Sequence, residues 1–337
     1  MLRWHILNGL WLRWYTLRTY APRPLTVSLV TADLHKGKGG RSLPIIETMA
    51  EDDETGAAAE AELKKGFETL EVVQPYPSVP VHYIYLNRPA QRNALTPAFF
   101  TDLPRALALL DRLPSARAIV LAARGPHFCA GIDLSTLAAT SSPRSADRAA
   151  ASELLRRRIL ALQATISAVE RCRKPVVAAI HGACIGGGVD LVAACDIRCC
   201  DEGAFFAVKE VDLALAADLG SLQRLPSIVG YGNAADMALT GRGVPAAEAK
   251  AMGLVTRVFP SRAAMEEGVA ALARGLAEKS TVAMMGTKAV MLRSRDLTVD
   301  QGLEYVATWN SAMLMSRDLE EALRAQLEKR KPNFSRL

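Results

Sequence analysis

A chain of 337 residues that is 50% apolar holds enough hydrophobic material for one large folded domain with an appendage, or for two domains. Its formal charge of +6 is local: residues 1–48 carry seven basic and two acidic side chains, so the remaining 289 residues stand near +1. A body so close to neutral, with no Lys-rich helix, argues against nucleic acid as a partner, and the lack of an eighteen-residue uncharged apolar run argues against membrane insertion.

Residues 1–64 read as a leader followed by an acidic, Ala-rich linker, without enough apolar pattern to order itself. The leader has no acid before Asp33 and interleaves Arg with Leu, Trp and Tyr, as a mitochondrial transit peptide does. The competing reading is that translation begins at Met49, ahead of "MAEDDETG".

From residue 65 to about 255 strand and helix signals alternate. "VHYIYLN" (81–87) is β-branched and aromatic and stops at Arg88-Pro89; "NALTPAFFTDLPRALALLDRL" reads as helix; "ARAIVLAARG" (116–125) is a second strand closed by Gly125-Pro126. In the next helical stretch Leu154, Leu155, Ile159, Leu162, Ile166 and Val169 fall at helical spacing. "KPVVAAIHG" (174–182) is a third strand, leading through Gly186-Gly187-Gly188 into a short helix, and "IRCC" and "AFFAVKE" suggest two more strands. Residues 256–337 read as helical and end in Ser335-Arg336-Leu337, a conservative variant of the Ser-Lys-Leu peroxisomal address. The whole is an α/β core with an α-helical C-terminal region. All six cysteines lie between Cys129 and Cys200 with no CxxC pair, so buried reduced thiols and no metal site are expected.

Two features carry chemistry. A glycine cluster between strand and helix lets backbone amides approach a ligand and attract developing negative charge, although close helix–strand packing asks for the same residues. "KEVDLALAADLG" (209–220) reads as half-buried, yet it holds Glu210, Asp212 and Asp218. Buried carboxylates need a partner or a raised pKa. Lys209 and Arg224 are at hand for structural ion pairs, and on the residues alone that reading is preferred.

The order and spacing of "NRPAQRNAL", "CAGIDL", "KPVVAAIHGACIGGGVDL", "ACDIR", "FFAVKEVDLALAADLGSLQRLPSIVG", "GLVTRVFP" and "LEKRKPNF" resemble the enoyl-CoA hydratase/isomerase (crotonase) superfamily over roughly residues 70–332. The resemblance implies a crotonase-like spiral of repeated ββα units, a homotrimer or homohexamer, and an acyl-CoA thioester as substrate with no separate cofactor. It places an oxyanion hole at the N–H groups of Ile132 and Gly187, with Ala130, Gly131, Asp133 and Leu134 in the same substrate-binding loop. Hydratases of the family carry two glutamates, the first two positions after the last glycine of the cluster and the second twenty residues on. Here those positions hold Asp190 and Glu210, and a third acid, Asp218, stands where hydratases are Gly-rich.

That set is similar to the branch that converts 3,5-dienoyl-CoA to 2,4-dienoyl-CoA in fatty-acid β-oxidation. The chemistry moves one proton from C2 and another to C6, too far apart for one short carboxylate. Glu210 is therefore expected as the base at C2, Asp218 as the acid at C6, and Asp190 in support. Asp212 is expected to face solvent and Asp196 to make structural hydrogen bonds. Neither His127 nor His181 has a Ser or Cys nucleophile in a recognisable arrangement, and His181 is expected to be packed and hydrogen-bonded, while Arg88, Arg92 and Lys288 are candidates for the CoA phosphates. An enoyl-CoA hydratase is the alternative enzyme, and an RNA-binding relative is the alternative outside catalysis.

Overall fold

The computed structural model describes residues 56–141 and 147–335. The basic leader, and Arg336 and Leu337 of the terminal tripeptide, lie outside the described residues. Residues 56–64, expected to be an unpacked linker, are helical. "GAAAEAELK" is made of good helix formers, and it seats Ala59 in the core with Leu63 packed alongside.

β1 (Leu70–Val73) and β2 (Val81–Leu86) lead to α1 (Pro97–Arg112), β3 (Ala118–Ala123), α2 (Leu134–Ser141) and the long α3 (Arg148–Arg171). β4 (Val176–Ile180), β5 (Ala183–Ile185), α4 (Gly187–Ala193), β6 (Ile197–Asp201) and β7 (Phe205–Ala207) follow. After a 3-10 turn at Glu210–Leu213 come α5 (Ser221–Val229), α6 (Tyr231–Thr240), β8 (Val244–Pro245), α7 (Ala246–Ala251) and β9 (Arg257–Phe259). The chain closes with α8 (Arg262–Ala277), α9 (Thr281–Ser294), α10 (Val299–Met313) and α11 (Arg317–Leu327).

A six-stranded sheet has the order β1-β2-β3-β4-β6-β9, and β5-β7-β8 form a second, smaller one. Only the β1–β2 pair in the large sheet is antiparallel. Its central strands are apolar on every residue because both faces are covered. Ile119, Leu121 and Ala123 of β3 point into the main core, while Ala118, Val120 and Ala122 meet Met265, Val269 and Ala273 of α8. β9 pairs with β6 over Cys199↔Arg257 to Asp201↔Phe259, so the sheet runs past residue 255, where the core was expected to end. α8 seals that same sheet, which makes its first helix part of the core as well.

The apolar spacing in α3 marks a helix correctly but not its depth. Ile166 and Val169 are buried, whereas Leu154 and Leu155 are 56% and 41% exposed. "AFFAVKE" is strand only over Phe205–Ala207, and Val211 to Ala214 lie exposed, so the segment after Glu210 is less buried than its composition suggests.

Candidate active site

The parallel strands β3 and β4 deliver their C-terminal ends to two loops, residues 124–133 and 181–186, which is where open α/β sheets place ligands. An isolated bridge between Cys129 and Cys184 holds the loops together. A second bridge, Leu95↔Ile132, is made by Leu95 N–H to Gly131 O (2.8 Å) and Asp133 N–H to Leu95 O (2.9 Å). Both bonds flank Ile132, so its own amide turns away from Leu95. Across the gap, a Cβ on Gly187 would stand 3.9 Å from Ile132 N and 3.0 Å from Leu95 Cδ1. Among the described residues neither the Ile132 nor the Gly187 amide has an acceptor. Two free N–H groups therefore face one small space, as stabilisation of a developing oxyanion requires.

The rest of the loop serves that geometry in different ways. Ala130 N–H donates to Arg92 O (3.0 Å), and Gly131 takes φ +89 against the carbonyl of Ile185. Asp133 turns to the start of α2, accepting from Ser135 and lying 3.7 Å from Arg88. Leu134 begins α2 and is 65% exposed. Asn93, buried at φ 55, accepts from Arg88 N–H and donates to the carbonyls of Arg124 and His127. Nothing in its sequence position separated it from an ordinary turn residue.

The three carboxylates gather beside the amides. A Cβ on Gly186 (φ +53) would come 3.1 Å from Glu210 Oε1. Glu210 is pushed up to about 7, first by burial and then by the Asp190 and Asp218 charges. Asp190, on the first turn of α4, is fully buried and raised to about 6 by desolvation, which the Ser221 N–H donated to Oδ1 partly offsets. Asp218 is raised by burial. Asp190 Oδ2 and Glu210 Oε2 have no hydrogen-bond partner. The cations that offered a purely structural reading are engaged elsewhere: Lys209 with exposed Asp212 (2.8 Å) and Arg224 with Glu170 (2.8 Å).

Other candidates fall out of the site. Lys288, read as a phosphate ligand, is buried and bonded to Asp196 (2.7 Å) and to the Val169 and Lys174 carbonyls. Asp196 also accepts from Val176 N–H, the structural role expected of it. Arg88 is spent on Ala94 O (2.7 Å), whereas Arg92 is exposed at the rim of the oxyanion loop. His181 is packed with Nε2 on Gly125 O (2.9 Å), and His127 Nδ1 accepts from Ala183 N–H. All six cysteines are buried free thiols. Gln163, which no motif singles out, donates from α3 to the carbonyl of Asp218 (2.7 Å).

The α/β scaffold sets two unpaired amides close to three carboxylates whose pKa values burial raises, an arrangement that can move protons next to a carbonyl. The profile described as Enoyl-CoA hydratase/isomerase matches residues 78–336, and the chain belongs to that family. Over 275 residues it is 55% identical to the Arabidopsis thaliana protein named Delta(3,5)-Delta(2,4)-dienoyl-CoA isomerase, peroxisomal, covering 81% of this chain and 99% of that one. The Homo sapiens protein of the same name, designated mitochondrial, is 42% identical over 289 residues, 85% of this chain and 88% of that one. The crystal structure of enoyl-CoA hydratase from Bacillus anthracis superposes with a TM-score of 0.72 at 31% identity, covering 79% of this chain and 99% of that one.

Proposed function

We propose that this chain isomerises 3,5-dienoyl-CoA to 2,4-dienoyl-CoA, a step of fatty-acid β-oxidation. The observation that carries the reading is the cluster of Asp190, Glu210 and Asp218 without a cationic partner, beside the free amides of Ile132 and Gly187. The thioester oxygen accepts from both amides. Glu210, pushed up to about 7 and so a stronger base than an ordinary carboxylate, takes the C2 proton. The electron pair of that C–H bond delocalises over the diene and onto the oxygen, and the Asp218 carboxyl, whose protonated form burial favours, delivers a proton to C6. The C3 and C5 double bonds thereby become C2 and C4 double bonds, and one proton leaves as one arrives. Two preorganised donors stabilise the dienolate most when its charge is fullest, each worth about 3–4 kcal/mol. Asp190 keeps Glu210 basic by its charge. Coenzyme A enters as part of the substrate, and the steps need no further cofactor.

A hydratase uses the same fold, so the fold does not separate the two reactions. The acids do: Asp190 is fully buried and tied to Ser221 N–H, a poor second hand for holding a water. Incubation with a 3,5-dienoyl-CoA should produce the ultraviolet absorbance of a conjugated 2,4-dienoyl-CoA. Faster hydration of a 2-enoyl-CoA than isomerisation of the diene would reverse the assignment.

We further infer a homo-oligomer, trimeric or hexameric, supported by apolar side chains left exposed on α3 (Leu154, Leu155, Leu160) and on α11 (Leu323, Leu327). Residence in an organelle fits the designations of the relatives in Arabidopsis thaliana and Homo sapiens. The peroxisomal assignment rests on Ser335-Arg336-Leu337, and a mitochondrial one on the basic leader.

A further inference from the structure

The Asp218 carboxyl stands on a segment with almost no backbone support. Residues 216–219 belong to no helix or strand, and among the described residues they make no backbone–backbone hydrogen bond. What holds them is a polar stripe on α3. Gln163, Ser167 and Glu170 recur at i, i+4 and i+7, one face of the helix. Gln163 Nε2 donates to Asp218 O (2.7 Å). Arg224 Nη2 donates to Ser167 Oγ (3.1 Å) and Glu170 Oε2 (2.8 Å), while its Nη1 reaches Leu219 O (3.4 Å). Glu170 is fixed from its other side by Arg295, just past the end of α9 (2.6 Å). The guanidinium lies so close over Gly220 that a Cβ there would sit 1.8 Å from Nη1, and Gly220 itself needs φ +124. Both ends of the residue 218–219 carbonyl pair are thus set by side chains of α3, directly or through Arg224.

We propose that this stripe is a positioning device for the acid at C6, with Gln163 as the positioning residue whose N–H sets where the Asp218 carboxyl points. The proposal rests on the isomerase reading above. It explains why a segment without ladder bonds can hold a proton donor in place: a misplacement of about 1 Å costs on the order of 100-fold in rate. It also separates the two halves of the reaction. Proton abstraction at C2 uses Glu210 and the amides of Ile132 and Gly187, none of which Gln163 touches.

The test is Gln163→Met, close in length but without a donor, with Gln163→Asn as a polar variant too short to reach. Behind the segment lies a cavity of about 600 Å³ lined by Gln163, Ser167, Glu170, Gln223, Arg224 and Arg295. Water entering from it can satisfy the freed carbonyl, so both variants should fold with little change in Tm. Isomerisation is followed by absorbance, and exchange of the C2 proton of 3,5-dienoyl-CoA with deuterated water by mass spectrometry. Expected is a fall in kcat of about tenfold or more with KM unchanged, while C2 exchange stays within about twofold of wild type. Exchange and isomerisation falling together, or neither changing, would overturn the positioning role while leaving the isomerase reading standing. A wild-type chain that leaves the diene unmoved overturns the isomerase reading, and the positioning role with it.

Discussion

Replacing Glu210 with glutamine should abolish isomerisation and change how the fold responds to pH. Burial and the Asp190 and Asp218 charges lift this carboxyl from its ordinary 4.5 to about 7. That gap corresponds to at most about 3 kcal/mol, less what water screens at a half-buried group. The native state therefore holds a proton between pH 4.5 and 7 that the unfolded chain releases. Stability contributed by this group falls as pH rises through that window, and above pH 7 the whole cost of an ionised, crowded carboxylate is present. Glutamine has no such dependence. Its amide inherits the unpartnered Oε2 position, a cost of about 1–3 kcal/mol that is the same at every pH. Of these two costs only the ionisation of Glu210 varies with pH, so from pH 4.5 to 8 the variant should gain about 2–3 kcal/mol relative to wild type. In melting temperature that is roughly 4 °C or more, read by calorimetry on both proteins across the pH series. A gap between the two melting curves that stays constant over the series would refute the buried, charge-crowded Glu210 on which the mechanism depends.

Asp218→Asn should lose isomerisation by at least about 100-fold while binding an acyl-CoA nearly as tightly, as titration calorimetry would show. Wild-type kcat/KM should climb with pH about a midpoint near 7 as Glu210 ionises, and Asp190→Asn should move that midpoint lower by removing a neighbouring charge. Gly186→Ala forces a side chain into φ +53 and against Glu210 Oε1, so kcat should drop about tenfold or more with a stability loss of about 1–3 kcal/mol. Lys288→Met leaves part-buried Asp196 without its cation; denaturant unfolding should report a loss of up to about 3 kcal/mol, and CoA affinity should not change in folded protein.

How much of this was legible in the residues follows from which forces are local. β3 and β4 announce themselves because a parallel strand covered on both faces must be apolar throughout. The glycines of "AGIDL" and "GGG" stand out in the sequence, since close backbone approach restricts the residue types allowed, but the pairing of the Ile132 and Gly187 amides came from the family resemblance. Burial depth was not. Leu154 and Leu155 satisfy the helical period yet stand clear of the sheet, and Val211 and Leu213 are exposed beside a half-buried acid. Lys288 looked like any surface cation until the fold set it against Asp196, 92 residues away. Gln163 had no signal at all, because one side chain amide meeting one carbonyl 55 residues distant leaves no pattern in a sequence. The helix over residues 56–64 was missed for another reason: an acidic, Ala-rich stretch has the composition of a linker, and only Ala59 and Leu63 finding the core decide otherwise.

The division between what the fold fixes and what it leaves free bears on how one scaffold serves two reactions. The Ile132 and Gly187 amides are placed by the ends of β3 and β4, by the Leu95 and Cys184 bridges and by the start of α4, all continuous with the main core. Moving them would cost packing throughout the sheet, so on the proposed mechanism this pair of donors is the part of the site least free to change. Asp218 stands on the opposite kind of support, a segment without backbone ladder bonds that is held by side chains of α3. On the proposed mechanism, changing residues there alters which carbon is protonated while leaving the core intact. The solved hydratase superposes over 79% of the chain, and on the proposed mechanism the acid at position 218, with the helix face that holds its segment, is where the chemistry parts from hydration at little cost to the fold.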